Sequence, residues 1–257
     1  MGLAINYPRR KSSRPCAIAA MEPRLLTRAD RMLSAAQLTG RKDSHVLPVE
    51  ELGMQLHPLA AQAFLALTAM AADDGIELEA VSAFRTFNTQ LEIWNAKHRG
   101  ERPLYDADGV ELEHSLLNQD ELVTAILRWS ALPGASRHHW GTELDVIDRA
   151  AVPEGYRIRL MKDEFASDGV FWKLGEWLEK RLPETDFYRP YMGFYDGVQR
   201  EPWHLSFAPV SVQALQSMTV EILKEALAGS DVLGLNIISA QLPEIFSQYV
   251  LNVSDPP

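Results

Sequence analysis

The segment SRHHWGTELD, residues 136–145, is the most informative stretch of this 257-residue chain. From Thr142 to Ile147 polar and apolar side chains alternate, which predicts a β-strand with Glu143 and Asp145 on one face. Gly141 permits a sharp bend just before that strand, because glycine adopts backbone conformations that other residues avoid. His138 and Asp145 are thereby expected on adjoining backbone, and both are residue types that bind metal ions.

A second segment, Glu201-Pro202-Trp203-His204, complements the first. Residues 203–207 alternate again, so a strand there directs His204 to the polar face. Because proline disfavours the helical conformation in the residue before it, Glu201 is expected at the strand entrance, close to whatever His204 binds. Two imidazoles and a carboxylate make a three-ligand metal site with room for water, and Glu201 remains as a candidate general base.

The residues by themselves leave the chemistry of this site open. Two histidines and one carboxylate also hold non-haem Fe(II) in oxygenases. The Glu201 carboxylate favours hydrolysis, because an oxygenase needs no nearby base. A cluster of ordinary structural histidines is a further interpretation, since seven histidines in 257 residues are unexceptional.

The composition excludes several classes of protein. The chain is 46% hydrophobic and 23% charged, as expected for a globular domain with a full core. Its net charge of −10 argues against nucleic acid as a partner, because neutralising phosphates requires excess lysine and arginine. The single Cys16 excludes an internal disulfide framework and a cysteine-rich metal site. We expect no membrane span, since no apolar run approaches the roughly 18 residues that one needs.

The N-terminal region is expected to lie apart from the functional domain. Residues 1–44 are interpreted as an extension and residues 45–257 as a single domain that includes the C-terminal helices. The basic cluster at residues 9–11 precedes an apolar stretch shorter than the roughly 7–15 residues of a secretory signal. We therefore expect the first 20 residues to be disordered, and the location stays open between the cytoplasm, as the default, and the periplasm.

Helical and strand patterns are interleaved along the chain. The strands are short and few, without a regular β-α-β rhythm, which favours an α+β fold with a small, mainly antiparallel sheet flanked by helices. Residues 101–118 mix glycine, proline and polar residues and are predicted to form a long loop. Helices are predicted over 57–74, 88–98, 120–129, 170–181, 212–227 and 242–253, and strands over 76–84, 142–147 and 203–207.

Three motifs in order carry a family resemblance. Ser136-x-His138-x-x-Gly141-x-x-x-Asp145, followed by Glu201-Pro202-Trp203-His204, resembles the signature of VanY-type zinc D-alanyl-D-alanine carboxypeptidases. These belong to the LAS (M15) metallopeptidases, which share a fold with Hedgehog. Ser82-Ala83-Phe84-Arg85-Thr86 with Gln90 is similar to the family's Ser-Gly-Tyr-Arg-Ser…Gln segment. Ala83 replaces the usual glycine, and Glu143 departs from the family, which usually has a small residue there. Because Glu143 faces the same side as Asp145, it is interpreted either as negative charge or a hydrogen-bond partner beside the metal, or as a solvated strand carboxylate.

The resemblance implies a role for each matched residue. His138, Asp145 and His204 would bind one Zn²⁺ per chain, and His139 would not, because the motif places the ligand two residues after Ser136. Glu201 would act as general base and then as general acid. Arg85 would bind a substrate carboxylate or stabilise the oxyanion. Further hydrogen bonds to the substrate would come from Ser82, Gln90 and Ser136.

The implied reaction is hydrolysis of the terminal D-Ala–D-Ala bond of peptidoglycan stem peptides by a monomeric enzyme. Two alternatives remain. An endopeptidase of the same fold would cut an L-Ala–D-Glu bond, and a zinc-containing module would bind cell-wall peptides without cleaving them. The presence of Glu201 argues against the second alternative, because a degenerate relative is expected to lose its base before its metal ligands.

Overall fold

A four-stranded antiparallel sheet with the strand order β3-β6-β8-β7 forms the centre of the molecule. The computed structural model describes residues 32–193 and 196–256, so the expectation for residues 1–20 lies outside the described residues. Two further hairpins, β1-β2 and β4-β5, stand apart from the sheet. The strands are β1 (Leu47–Val49), β2 (Met54–Leu56), β3 (Leu78–Ser82), β4 (Leu104–Tyr105), β5 (Glu111–Leu112), β6 (Glu143–Asp148), β7 (Phe187–Tyr188) and β8 (His204–Phe207).

Helices surround this sheet, and the predicted α+β class is confirmed. They are α1 (Ala35–Leu38), α2 (Pro58–Asp73), α3 (Phe87–His98), α4 (Gln119–Leu127), α5 (Trp172–Arg181), α6 (Ala208–Ser217), α7 (Val220–Leu227), α8 (Leu235–Ala240) and α9 (Leu242–Ile245). A π-helical segment, Phe246–Leu251, follows α9 directly.

Two sequence predictions about these elements are wrong. The helix predicted over 212–227 is split into α6 and α7, because Thr219 leaves the helical conformation and its hydroxyl accepts a hydrogen bond from the Ile222 N–H at 3.2 Å. This is an N-cap, which begins a new helix. The long loop predicted over 101–118 contains the β4-β5 hairpin and a 3₁₀ turn at His114–Leu116.

The described residues form two separate hydrophobic clusters. One packs α2 and α5 against the apolar face of the sheet, where Leu144, Val146 and Leu205 are fully buried. The other joins α3, α4 and the C-terminal helices, around Trp94 and Ile126. Burial of this apolar surface is the main favourable term in folding and fixes the sheet relative to the helices.

The segment before residue 45 takes part in this packing. Leu33 and Leu38 are buried in the helical cluster, and the Trp140 indole N–H donates to the Leu38 carbonyl at 3.1 Å. The Phe87 N–H donates to the carbonyl of Gly40. Part of the region that the sequence analysis assigned to an extension therefore contacts the Trp140 side chain and the backbone at Phe87.

The sheet register places the polar residues of the motifs together. Asp145 of β6 lies directly opposite His204 of β8, and Glu143 lies opposite Ser206. On the other side of β6, Ser82 is the register partner of Asp145, after an irregularity in β3 between Ala80 and Ser82. These side chains share one face of the sheet, where Ser82 is half-buried and the other four are buried.

Candidate metal centre

A tight turn presents the first histidine to the sheet. Arg137–Trp140 forms a 3₁₀ turn that ends at Gly141, whose φ of 69° is the left-handed conformation favoured by glycine. A Cβ atom at Gly141 would lie 2.3 Å from Cγ1 of Val46, so the close approach of these segments also requires glycine. The sharp bend expected between His138 and β6 is present.

His138 is held in a single orientation. Its Nδ1 lies 2.7 Å from the Ala83 carbonyl oxygen, which can only accept, so this nitrogen carries the proton. The Nε2 atom then has a free lone pair and lies 3.4 Å from Oδ2 of Asp145. The backbone that follows β3 therefore decides which nitrogen of His138 is offered to the site.

His204 lies on the other side of the Asp145 carboxylate. Its Nδ1 is 3.2 Å from Oδ1 of Asp145, and the rings of His138 and His204 meet edge to face with centroids 4.9 Å apart. One ligand atom from each of His138, Asp145 and His204 lies within 4.8 Å of the others, and all three residues are buried. The structure thus brings the three expected metal ligands together.

Glu201 adjoins this cluster. Its Oε2 lies 3.3 Å from Nδ1 of His204, and its side chain is 13% exposed. The chain turns between the two residues, since the His204 N–H donates to the Glu201 carbonyl at 3.1 Å. The Glu201 N–H donates in turn to the carbonyl of Tyr191, whose ring contacts the His204 imidazole at 5.0 Å between centroids. Glu201 therefore stands at the entrance to β8, as the sequence predicts.

The charges around His204 favour a cation. Burial disfavours the protonated imidazole, but hydrogen bonds to the surrounding carboxylates, Asp145 first, raise the pKa of His204 well above its usual range. Burial also opposes ionisation of Asp145, yet neighbouring His138 and His204 hold its pKa well below the usual range. At Glu201 burial has the largest effect and raises the pKa of the carboxyl group. Positive charge between these side chains, whether a proton or a metal ion, is consequently stabilised.

Arg85 lies at the junction of β3 and α3, on the exposed side of Asp145. Its guanidinium donates to Oδ2 of Asp145 at 3.0 Å and remains 24% exposed. The Ser82 hydroxyl accepts from both Nε and Nη2 of Arg85, at 3.2 and 2.8 Å. The Gln90 side-chain oxygen lies 3.4 Å from Nη1. Thr86 caps α3 by accepting from the Thr89 N–H at 3.1 Å, which fixes the backbone beside the arginine.

The remaining expected substrate contacts are placed as follows. Gln90 is 1% exposed and donates through Nε2 to the Ala131 carbonyl at 2.8 Å, so both ends of its amide contact protein groups. Ser136 is buried at the start of the 3₁₀ turn, and within the described part of the chain its side chain makes no cap hydrogen bond. Direct contact of these side chains with a substrate stays a prediction.

His139 points away from the cluster. Its Nδ1 donates to the Arg85 carbonyl at 2.7 Å, and its Nε2 accepts from the Gly134 N–H at 3.1 Å. Burial is the main cause that lowers the pKa of His139 to about 3. The neutral imidazole of His139 thus links the backbone at Arg85 to the backbone at Gly134. His139 is not among the three clustered ligand residues, in line with the preference for His138.

The structure adds two contributions to the site that the sequence analysis left open or did not name. Glu143, for which a partner of a metal ligand and a solvated strand carboxylate were the alternatives, accepts a hydrogen bond from Nε2 of His204 at 2.8 Å. The second contribution is Lys97. Burial lowers the pKa of its ammonium group to about 8, and attraction to the Glu201 carboxylate acts in the opposite direction. Lys97 lies seven residues after Gln90 in α3, and this helical spacing is the signal that places it on the same face.

The donor set fits a zinc ion. Two imidazole nitrogens and one carboxylate oxygen are the ligands of hydrolytic zinc sites. The opposite nitrogen of each histidine is already engaged, by the Ala83 carbonyl for His138 and by Glu143 for His204. Such partners orient metal-binding imidazoles. The residues present therefore match the chemistry that zinc requires.

Comparison with known proteins decides the family. A family model described as VanY, D-alanyl-D-alanine carboxypeptidase, matches residues 53–210, which include the whole cluster. The chain belongs to the VanY family. Membership places it among metallopeptidases and confirms the resemblance found in the sequence.

Two proteins of Haemophilus influenzae are similar to parts of this chain. One is 39% identical over 122 residues, which are 47% of this chain and 93% of that protein. The other is 40% identical over 103 residues, which are 39% of this chain and 70% of that protein. Both carry the name "Uncharacterized protein".

Solved structures of more distant proteins are also similar to this VanY-family chain. VanYB in complex with D-alanine-D-alanine is 20% identical, with 74% of this chain and 92% of that chain covered and a TM-score of 0.46. The LdcB LD-carboxypeptidase is 21% identical, with 73% and 80% covered and a TM-score of 0.47. DacB from Streptococcus pneumoniae is 22% identical, with 66% and 77% covered and a TM-score of 0.37. Because all three TM-scores lie below 0.5, the family assignment rests on the family match.

Within the described residues of this VanY-family chain, we find no helix with the length and apolar character needed to cross a membrane.

Proposed function

We propose that this protein is a zinc-dependent carboxypeptidase that hydrolyses the terminal D-Ala–D-Ala bond of peptidoglycan stem peptides. The observation that carries the proposal is the convergence of His138, Asp145 and His204 with the carboxylate of Glu201 in a chain of the VanY family. Three ligands and an adjacent base are the requirements of a hydrolytic zinc site.

His138, Asp145 and His204 would hold one zinc ion per chain, through Nε2, a carboxylate oxygen and Nδ1 respectively. These are the atoms that face the shared space, since the other nitrogen of each imidazole is hydrogen-bonded. Zinc bound there supplies Lewis acidity, which makes water a better nucleophile near neutral pH and polarises the peptide carbonyl.

Glu201 would move the proton. Its carboxylate takes a proton from the attacking water and gives it to the nitrogen of the leaving amino acid. Burial raises the pKa of this carboxyl group, which makes it a stronger base than an exposed glutamate. A base positioned in this way contributes roughly 10²–10⁴ in rate.

Arg85 would bind the carboxylate at the end of the peptide. A partly exposed guanidinium offers donors in a fork that matches a carboxylate. Ser82 and Gln90 would act on the substrate through Arg85, because both accept hydrogen bonds from its guanidinium. Lys97 adds positive charge on the Glu201 side, which favours anionic substrates.

The proposal is tested with purified full-length protein and a panel of stem peptides, with products identified by mass spectrometry. We expect loss of the last D-Ala from a peptide ending in D-Ala–D-Ala, abolition by a chelator and recovery with added zinc. A peptide ending in D-Ala–L-Ala serves as the stereochemical control. Cleavage between L-Ala and D-Glu instead would indicate the endopeptidase, and zinc-dependent peptide binding without products would indicate a binding module.

A further inference from the structure

Glu143 is a wholly buried carboxylate next to the metal centre, and the proposed mechanism does not use it. It lies two residues before Asp145 on the same face of β6, opposite Ser206. Its Oε2 accepts a hydrogen bond from Nε2 of His204 at 2.8 Å. It therefore contacts the imidazole on the side that faces away from Asp145.

Several donors hold this carboxylate in place. Arg137 donates to it through Nε at 3.3 Å and through Nη2 at 3.4 Å. The hydroxyls of Thr142 and Ser206 lie 3.0 and 2.8 Å from Oε1. Arg137 is itself bonded to the Tyr188 hydroxyl at 2.9 Å. A side chain with this many partners has little freedom to move, so the position of Oε2 is defined independently of His204.

The contact determines which nitrogen of His204 is available. A carboxylate surrounded by guanidinium and hydroxyl donors is an acceptor, so Nε2 of His204 donates and carries the proton. In the neutral imidazole that metal binding requires, Nδ1 is then the nitrogen with the lone pair, and it faces Asp145 and Glu201. His138 is held in the opposite way, with Nδ1 donating to the Ala83 carbonyl and Nε2 facing the site.

We propose that Glu143 is a positioning residue, which with Arg137 locks the imidazole of His204 so that Nδ1 is presented for zinc. The inference rests on the proposed function in so far as His204 is a zinc ligand. Carboxylates that orient metal-binding histidines raise metal affinity, and their loss typically weakens it about 10- to 100-fold.

The test compares the full-length wild type with Glu143→Gln and with the double variant Glu143→Gln/Arg137→Met. The double variant is needed because removing one member of a buried ion pair leaves the other charge without compensation and can prevent folding. The matched control is Glu164→Gln. Glu164 is equally buried, but its partners are the Tyr156 hydroxyl and the N–H groups of Arg159 and Met161, outside the metal centre.

Two readouts besides activity are measured. Competition with a chromophoric chelator gives the zinc dissociation constant, which we expect to rise about 10- to 100-fold in both Glu143 variants and to stay unchanged in Glu164→Gln. Long-range ¹H–¹⁵N spectra of the imidazoles report which nitrogen of His204 carries the proton. With zinc bound in every protein, we expect the proton on Nε2 in the wild type and in Glu164→Gln. In the Glu143 variants we expect protons on a mixture of the two nitrogens.

The outcomes separate this inference from the proposed function. Unchanged zinc affinity together with an unchanged His204 spectrum in folded Glu143 variants would overturn the inference and leave the proposed function intact. A wild-type protein that binds zinc and cleaves none of the peptides would reject the proposed function, while weaker zinc binding in the Glu143 variants would still support the inference.

Discussion

Asp145 and His204 are register partners in neighbouring antiparallel strands, and Oδ1 of Asp145 lies 3.2 Å from Nδ1 of His204. Side chains of directly opposite residues stand about 4.5–5.5 Å apart at Cβ, so strand pairing alone brings these two within range of a shared ion. His138 completes the set from the turn that leads into the same strand. The candidate metal centre is therefore built on two hydrogen-bonded strands and the turn that precedes one of them.

Asp145→Asn tests the carboxylate ligand. The amide keeps the shape of the side chain but removes the negative charge, so we expect zinc binding to weaken by more than the roughly 10- to 100-fold cost of losing an outer partner. Zinc content after dialysis is the measurement. Asp148→Asn is the control, since Asp148 lies in the same strand and bonds to the N–H groups of Glu77 and Ala150. Equal zinc content in both variants would contradict the assignment.

Glu201→Gln separates proton transfer from metal binding. We expect full zinc content and a fall in kcat of roughly 10²–10⁴, because the amide cannot accept the proton of the attacking water. Product release from a D-Ala–D-Ala peptide gives kcat, and zinc is quantified on the same sample. The exposed Glu221→Gln in α7 is the control and should behave as the wild type. Near-normal turnover by Glu201→Gln would remove the general-base role.

Arg85→Ala tests recognition of the terminal carboxylate. A hydrogen bond to a charged group contributes about 1.5–3 kcal/mol, which corresponds to a loss of roughly 10- to 150-fold in kcat/KM for a peptide with a free carboxylate. The same peptide with an amidated end should lose much less. Zinc content is measured as well, because Arg85 also pairs with Asp145. An equal loss on both peptides would argue against carboxylate capture.

Gly141→Ala tests the close turn before β6. Alanine at a φ of 69° costs about 1–2 kcal/mol, and the contact with Cγ1 of Val46 adds an overpacking cost of about 1–3 kcal/mol. Gly155→Ala is the matched control. Its φ is 75°, and among the described residues no atom lies within 4 Å of the added Cβ. Urea unfolding should show the larger loss for Gly141→Ala, and similar losses would mean that the contact relaxes freely.

His139 predicts a pH dependence of stability. Its pKa is about 3 in the folded protein, where burial disfavours the charged form, and about 6.5 when unfolded. Between these values the unfolded chain binds more protons, so stability falls as the pH drops from about 6.5 towards 3. The shift corresponds to about 5 kcal/mol at most.

Urea unfolding of the metal-free protein from pH 8 to pH 4 measures this slope. In His139→Gln the slope should be smaller, although the variant is less stable at neutral pH. His114→Gln, at a partly exposed position, is the control. A slope that is the same in all three proteins would show that His139 does not titrate on unfolding.

Much of the candidate site could be predicted from the sequence, because side chains in a strand alternate with a period of two. That rule was sufficient to place Glu143 and Asp145 on one face and His204 on the polar face of β8, as the register shows. The bend at Gly141 could also be predicted locally, because glycine adopts the left-handed backbone conformation that few other residues adopt. The motifs around Arg85 and His138 were enough to indicate the family.

The tertiary structure alone decided the contacts between distant segments. His204 lies 61 residues after Glu143, and Arg85 lies 60 residues before Asp145, so their pairing depends on strand order and register, which no local pattern encodes. The break between α6 and α7 was missed because a threonine in an apolar helical pattern can equally well continue a helix or cap one. Residue types and their spacing determined which groups take part, and long-range packing decided which nitrogen of each histidine faces the metal centre.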